Sequence, residues 1–120
     1  MIDHVGFEVT DLARAAAFYD VVFYALGARR MLESEHAIAY GVNGPMFWIV
    51  VRGRPPGPGY GHVALHANGK AAVDSAYRAG LVAGGTDDGP PGPRPQYGRR
   101  YYACYLKDPD GLRVEVVSRR

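Results

Sequence analysis

Asp108-Pro109-Asp110-Gly111-Leu112-Arg113-Val114-Glu115-Val116-Val117 is the stretch that decides the fold. It reads as a tight turn running into a short strand. The two aspartates can bond nearby backbone N–H groups, Pro109 presets φ, and Gly111 supplies a positive φ. Leu112, Val114 and Val116 then alternate with Arg113, Glu115 and Val117, the period-2 pattern of a half-buried strand. Glu115 is the oddity. A carboxylate in mid-strand between valines is costly unless something pairs with it. Taken alone, this segment reads as a glutamate on the wet face of an antiparallel sheet.

Working outward, the chain starts with a second strand pattern. In Ile2 to Val9, Val5, Phe7 and Val9 face one way and His4, Gly6 and Glu8 the other. Asp11 suits a helix N-cap, and Leu12, Phe18, Tyr19, Val22, Phe23 and Leu26 recur at helical spacing up to Gly27. Residues 29–33 and 35–42 predict two short strands turning near Ser34. Asn43-Gly44-Pro45 marks another turn before a strand from Met46 to Val51. His36, near the start of its strand, reads as solvent-facing.

Arg52 to Tyr60, rich in proline and glycine, reads as a linker. After it the pattern restarts. Val63, Leu65 and Ala67 lie behind a strand whose front carries His62, Ala64 and His66. A helix follows from Lys70 to Val82, with Asn68 expected as its cap and Val73, Ala76, Tyr77 and Leu81 as its apolar face. Gly84-Gly85 ends it, residues 87–98 predict a proline- and glycine-rich loop, and Tyr101 to Lys107 and Leu112 to Ser118 are the last strands.

This is an internal repeat. Setting His4 on His62 brings Val5 onto Val63, Phe7 onto Leu65, Tyr19 onto Tyr77 and Gly27 onto Gly85. The closing turns match at a larger offset, Asn43-Gly44 on Asp110-Gly111, with the 87–98 segment absorbing the difference. At that offset Trp48 is the counterpart of Glu115. The expectation is one α+β domain of two βαβββ repeats, residues 1–52 and 61–120, joined by residues 53–60. The repeats form a curved, cupped mixed sheet with helices on its outer face. One unit leaves a sheet face uncovered and is too small to be stable alone. Pairing two units, within a chain or between chains, closes a cup lined by His4, Glu8, His62, His66, Glu115 and Trp48.

The totals narrow the function. With 120 residues, 48% of them hydrophobic and 22% charged, the chain is a single globular unit rather than a disordered one. A net charge of +2 with scattered basic residues argues against nucleic acid. No apolar run is long enough to span a membrane and no signal-peptide layout opens the chain, so a cytoplasmic protein is expected. The lone Cys104 excludes an internal disulfide, and its apolar, aromatic surroundings assign it to packing.

His4 in Asp-His-Val-Gly-Phe, His62 in His-Val-Ala-Leu, the Asp-Pro-Asp-Gly turn and Glu115 together resemble the vicinal oxygen chelate superfamily: glyoxalase I, bleomycin-resistance proteins and extradiol dioxygenases. Phe47-Trp48-Ile49, Pro91-Gly92-Pro93-Arg94-Pro95 and Tyr101-Tyr102-Ala103 are similar to a small glyoxalase-like group within it. The resemblance implies metal ligands at His4, His62 and Glu115, with the fourth place falling on Trp48, which cannot ligate. Two histidines and a carboxylate suit Fe(II), Mn(II), Ni(II) or Zn(II) and leave positions open for substrate oxygens.

The implied activity is that of a divalent-metal-dependent lyase, isomerase or dioxygenase on a small substrate with neighbouring oxygens. In it Glu8 and His66 are the candidate bases, and Tyr97, Tyr101, Tyr105 and Trp48 are substrate contacts. Glu8 and His66 read equally as a sheet pair, with each other or with Arg113. The alternative function is a metal-free protein that sequesters an aromatic or antibiotic-like ligand, as bleomycin-resistance proteins do. By family habit the chain is a homodimer.

Overall fold

The computed structural model describes residues 1–57, 59 and 61–120. The first unit runs β1 (Val5–Glu8), α1 (Leu12–Ala25), β2 (Arg29–Glu33), β3 (Ala37–Gly41) and β4 (Pro45–Val50). The second runs β5 (His62–His66), α2 (Lys70–Val82), β6 (Thr86–Pro93), a single 3-10 turn (Pro95–Tyr97), β7 (Tyr102–Lys107) and β8 (Arg113–Ser118). Of the expected linker, Pro58 and Tyr60 lie outside the described residues.

Each unit makes a four-stranded mixed sheet of the same topology, β1-β4-β3-β2 and β5-β8-β7-β6. In both, the opening strand pairs parallel with the closing one and the remaining pairs are antiparallel. The register also bears out the repeat at the position that matters. Gly6 stands opposite Trp48 in the first sheet, and Ala64 opposite Glu115 in the second.

Helix α1 begins where expected. Asp11 accepts the Arg14 N–H at 2.9 Å, and the helix ends before Gly27, whose φ of 80° a side chain would resist. It buries Ala15, Ala16, Phe18, Tyr19, Val22 and Phe23. Helix α2 departs from expectation in two ways. Asn68 does not cap it; the cap position is Gly69, the Asn68 side chain meets His66 at 3.2 Å, and Ser118 Oγ accepts the Gly69 N–H at 3.1 Å, tying the helix start to the end of β8. Its buried face is Val73, Ala76 and Gly80, while Leu81 is exposed. Gly80 is wedged between β7 and α1: a β-carbon there would stand 2.8 Å from Leu106 and 3.1 Å from the Phe18 ring of α1. Gly85 is tighter still, with 2.4 Å to the same ring.

The 87–98 segment is not the loop its composition suggests. Thr86–Pro93 is a bulged strand paired with β7, and 95–97 is the 3-10 turn. Pro90, Pro91 and Pro93 are tolerated because β6 is at the sheet edge, where missing N–H groups cost least.

The two units share one core, in which Phe18, Tyr19 and Phe47 from the first pack in the same cluster as Val73, Leu106 and Val116 from the second. The 108–111 turn crosses the division. Asp108 Oδ1 accepts the Asp110 and Leu112 N–H groups, each at 2.9 Å, while Oδ2 accepts the buried Tyr19 hydroxyl of α1 at 2.7 Å. Asp110 accepts the Thr10 N–H at 3.0 Å and Arg14 Nη2 at 2.8 Å. So the turn both starts β8 and holds the units together.

Tyr19→Phe leaves Asp108 Oδ2 buried without its donor and should cost about 1–3 kcal/mol in urea unfolding; an unchanged midpoint would show that the clasp contributes nothing. Burial, followed by the charge of Asp108, holds the Tyr19 phenol well above its ordinary value; burial likewise raises Tyr40 and lifts the Cys104 thiol to about 12. These groups keep their protons in the folded chain at pH values where the unfolded chain has lost them. The stability they lend is complete below the unfolded values, about 8.5 for Cys and about 10 for Tyr, and is lost as pH rises through the folded ones. The thermal midpoint should therefore fall steadily from about pH 9 to about pH 12, and a flat profile would contradict this account.

Candidate functional site

The face of the second sheet turned away from α2 carries the chemistry. Register sets His62, Ala64 and His66 of β5 beside Arg113, Glu115 and Val117 of β8, and these beside Lys107, Tyr105 and Ala103 of β7. The opposite parity, Cys104, Leu106, Val114 and Val116, goes into the core. Glu115 therefore belongs to the front, yet it is only 2% exposed. Neighbouring side chains cover it and supply its partners. Tyr101 donates a hydrogen bond to Oε2, and His62 Nε2 lies 3.2 Å from Oε1.

Two tyrosines feel the carboxylate. Burial and the bond to Glu115 raise the Tyr101 phenol to about 12, and burial and the Glu115 charge raise Tyr105. Tyr97 stacks obliquely on Tyr101, ring centroids 5.4 Å apart, and the His62 ring meets Tyr105 edge-on at 6.2 Å. Arg113 lies over Tyr105 and pairs with Asp88, while Arg119 lies over Tyr101 at 4.8 Å. Thus His62, Glu115, Tyr97, Tyr101 and Tyr105 form one cluster, with the carboxylate at its floor.

The other candidates are elsewhere. His4 Nδ1 meets Asp3 Oδ1 at 2.7 Å, and His4 lines a cavity of about 450 Å³ together with His66 and Asn68. His66 and His62 are at opposite ends of β5, about 13 Å apart along the strand, so His4 keeps company with the wrong end to join His62. Among the described residues no group of three or more His, Cys, Asp or Glu side chains stands close enough to hold an ion. Glu8 is gripped by Arg54 through Nε and Nη2, each at 3.2 Å, and that bond holds its carboxyl below the usual range. The Glu8–His66 and Arg113 pairings considered from sequence do not form; the partners are Arg54, Asn68 and Asp88.

Trp48 stands half-buried on the front of the first sheet beside Gly6, where a β-carbon would make ordinary contact with the Trp48 Cβ at 3.6 Å. His36 is exposed and Cys104 fully buried, as expected. Arg94 was visible in the sequence only as part of a motif. Its guanidinium folds over β6, donating to the Pro90 carbonyl at 2.8 Å.

Residues 1–116 match the family model described as the Glyoxalase/Bleomycin resistance protein/Dioxygenase superfamily. Among solved structures, a glyoxalase/bleomycin resistance protein from Albidiferax ferrireducens is 30% identical, covers 98% of this chain and 97% of its own, and superposes with a TM-score of 0.86. A glyoxalase-related enzyme from Fulvimarina pelagi (22% identity, 98% and 87% coverage, TM-score 0.78) and a lactoylglutathione lyase from Agrobacterium tumefaciens (24%, 98% and 92%, 0.69) share the fold. Comparison with curated proteins finds no match. The family model over nearly the whole chain agrees with the duplicated mixed sheet and the paired front-face positions. The chain belongs to the Glyoxalase/Bleomycin resistance protein/Dioxygenase superfamily.

Proposed function

We propose that the protein is a divalent-metal-dependent enzyme of lyase, isomerase or dioxygenase type, acting on a small substrate through neighbouring oxygens. The observation that carries this reading is the His62–Glu115 pair. Two ligand atoms each about 2.1 Å from an ion stand about 3.0 Å apart at a right angle and about 3.4 Å apart at the tetrahedral angle, and the 3.2 Å between Nε2 and Oε1 falls in that interval. One imidazole nitrogen and one carboxylate oxygen fit Fe(II), Mn(II), Ni(II) or Zn(II).

A third ligand, His4, would come from a second copy of the chain, since within one chain it sits with His66 instead. The proposed unit is therefore a homodimer whose cup combines one copy's first unit with the other's second. Trp48 then faces Glu115 across the cup as an apolar wall. The ion, when bound, would supply Lewis acidity towards a developing oxyanion.

The chain's own residues would do the rest. Tyr101 spends its single phenolic proton on Glu115 Oε2 and so braces that carboxylate, leaving its oxygen to accept a bond from a substrate hydroxyl. Of the two candidate bases, Glu8 must leave the Arg54 fork before it can take a proton. His66 is bound through only one ring nitrogen among the described residues and is the freer of the two. Tyr97, Tyr101 and Tyr105 offer ring faces to a planar substrate.

A second reading is favoured by one bond. Tyr101 already satisfies Glu115 Oε2, as befits a metal-free protein that sequesters an aromatic ligand against the same tyrosines. Metal analysis separates the two. Protein purified without chelator should hold about one divalent ion per chain, and His62→Ala and Glu115→Gln should each weaken Mn(II) binding at least about tenfold. A metal-free protein whose His62→Ala variant binds added Mn(II) as the parent does would leave the sequestering reading.

A further inference from the structure

Every arginine of the chain is exposed except Arg94. Four other guanidinium groups meet carboxylates at 3.2 Å or less, Arg14 with Asp110, Arg30 with Asp20 and Glu33, Arg54 with Glu8 and Arg113 with Asp88, while the exposed Arg119 lies over the Tyr101 ring. Arg94 is half-buried and, among the described residues, has no carboxylate partner. Its polar contacts are neutral, the Pro90 carbonyl at 2.8 Å and the Pro93 carbonyl at 3.4 Å. A partly covered guanidinium whose protein partners are neutral carbonyls keeps donors that an incoming anion can take.

The backbone is shaped to admit this group. Gly89 pairs with Tyr105 and Gly92 with Ala103, so both glycines present the front face. A β-carbon on Gly92 would stand 3.1 Å from Arg94 Nη1, and one on Gly89 would stand 3.2 Å from the Tyr105 ring and 3.7 Å from Arg94 Nη2. The guanidinium therefore lies over β6, on the side of Tyr105, with two of its five donors spent on carbonyls. Two strand spacings, about 10 Å, separate β6 from β8. Arg94, Tyr105 and the His62–Glu115 pair thus follow one another across the sheet, a cation at one end, an aromatic face between, and the polar pair at the other.

We propose that Arg94 is the anion-recognition residue of this site and that the ligand is a small aromatic carboxylate, bound with its carboxylate on Arg94, its ring along the tyrosines and an oxygen substituent at His62 and Glu115. The inference rests on the front face of the second sheet being the ligand site, and it is independent of the metal. An Arg–carboxylate pair can be bidentate, which fixes orientation as well as adding affinity. A phosphate oxyanion would satisfy the same donors, so the test has to tell the two apart.

The test is calorimetric titration of chelator-stripped protein with 4-hydroxybenzoate, 4-hydroxybenzamide and inorganic phosphate. The acid should bind at least about tenfold more tightly than the amide, and Arg94→Gln should remove that difference. Arg94→Lys should recover only part of it, because a point charge lacks the fork. Competition by phosphate at equal concentration would support the anion site and assign it to a phosphate-bearing ligand. Equal binding of acid and amide, or failure of both anions to bind the parent, would overturn the proposal. So would unchanged affinity in a folded Arg94→Gln, leaving Arg94 as a brace of the 90–94 bend. If Arg94→Gln does not fold, the acid–amide comparison on the parent decides. Loss of this binding alongside intact, His62-dependent Mn(II) binding would reject the anion site and leave the metal reading standing.

Discussion

A buried hydroxyl from one unit meets a buried carboxylate from the other, and the arrangement of the chain depends on that bond. Tyr19 of α1 donates to Asp108 at 2.7 Å. Burial raises the carboxyl of Asp108, but Tyr19 and the Leu112 and Asp110 N–H groups oppose that by bonding the anion. Asp108 thus fixes both the contact between the units and the entry of β8. A slip of one residue there would turn Glu115 into the core and Val114 or Val116 to the front. The site on one sheet is therefore set by a bond made to the other unit's helix.

The duplicated fold builds two equivalent front positions and fills them differently. Glu115 is an almost fully buried acid with Tyr101 and His62 on its two oxygens. Trp48, its counterpart, is a half-buried aromatic side chain opposite Gly6. The opening strands keep a histidine each, but the chain leaves His4 and His62 near opposite ends of β5. Symmetry of sequence with asymmetry of placement is what a cup assembled from two copies would require.

Periodicity exposed the parts of the fold that depend on alternation or local turn chemistry. The opening strands, the Asp11 cap, the Gly27 stop and the two-unit repeat all stand as expected, because each is encoded within a few residues. Longer-range competition decided the others. Asn68 leaves the cap position to Gly69, its side chain going to His66, while Ser118, far along the chain, holds the Gly69 N–H. Leu81 yielded the buried face to Gly80, where Leu106 of β7 and Phe18 of the other unit leave space only for a glycine. The 87–98 segment looked like a loop because proline counts against a strand, and local composition does not say which strand lies at an edge. At the site, the parity of Glu115 and the tyrosines was legible, and the neighbours were not. Nothing near Glu8 in sequence announces Arg54, and Arg94 acquires meaning only when Gly89 and Gly92 are seen to clear its path.

If the cup is shared between copies, its two halves can be repaired in trans. His4→Ala and His62→Ala would each empty both sites of their own dimer. In a mixed dimer of the two, one cup carries both substitutions and the other carries neither. The decisive measurement is Mn(II) binding, followed by electron paramagnetic resonance, before and after the two variants are mixed under conditions that allow subunits to exchange. The shared-cup account predicts that neither variant alone binds Mn(II) as the parent does and that mixing restores about one site per mixed dimer. No recovery after proven exchange, or parental binding by either variant alone, would contradict it.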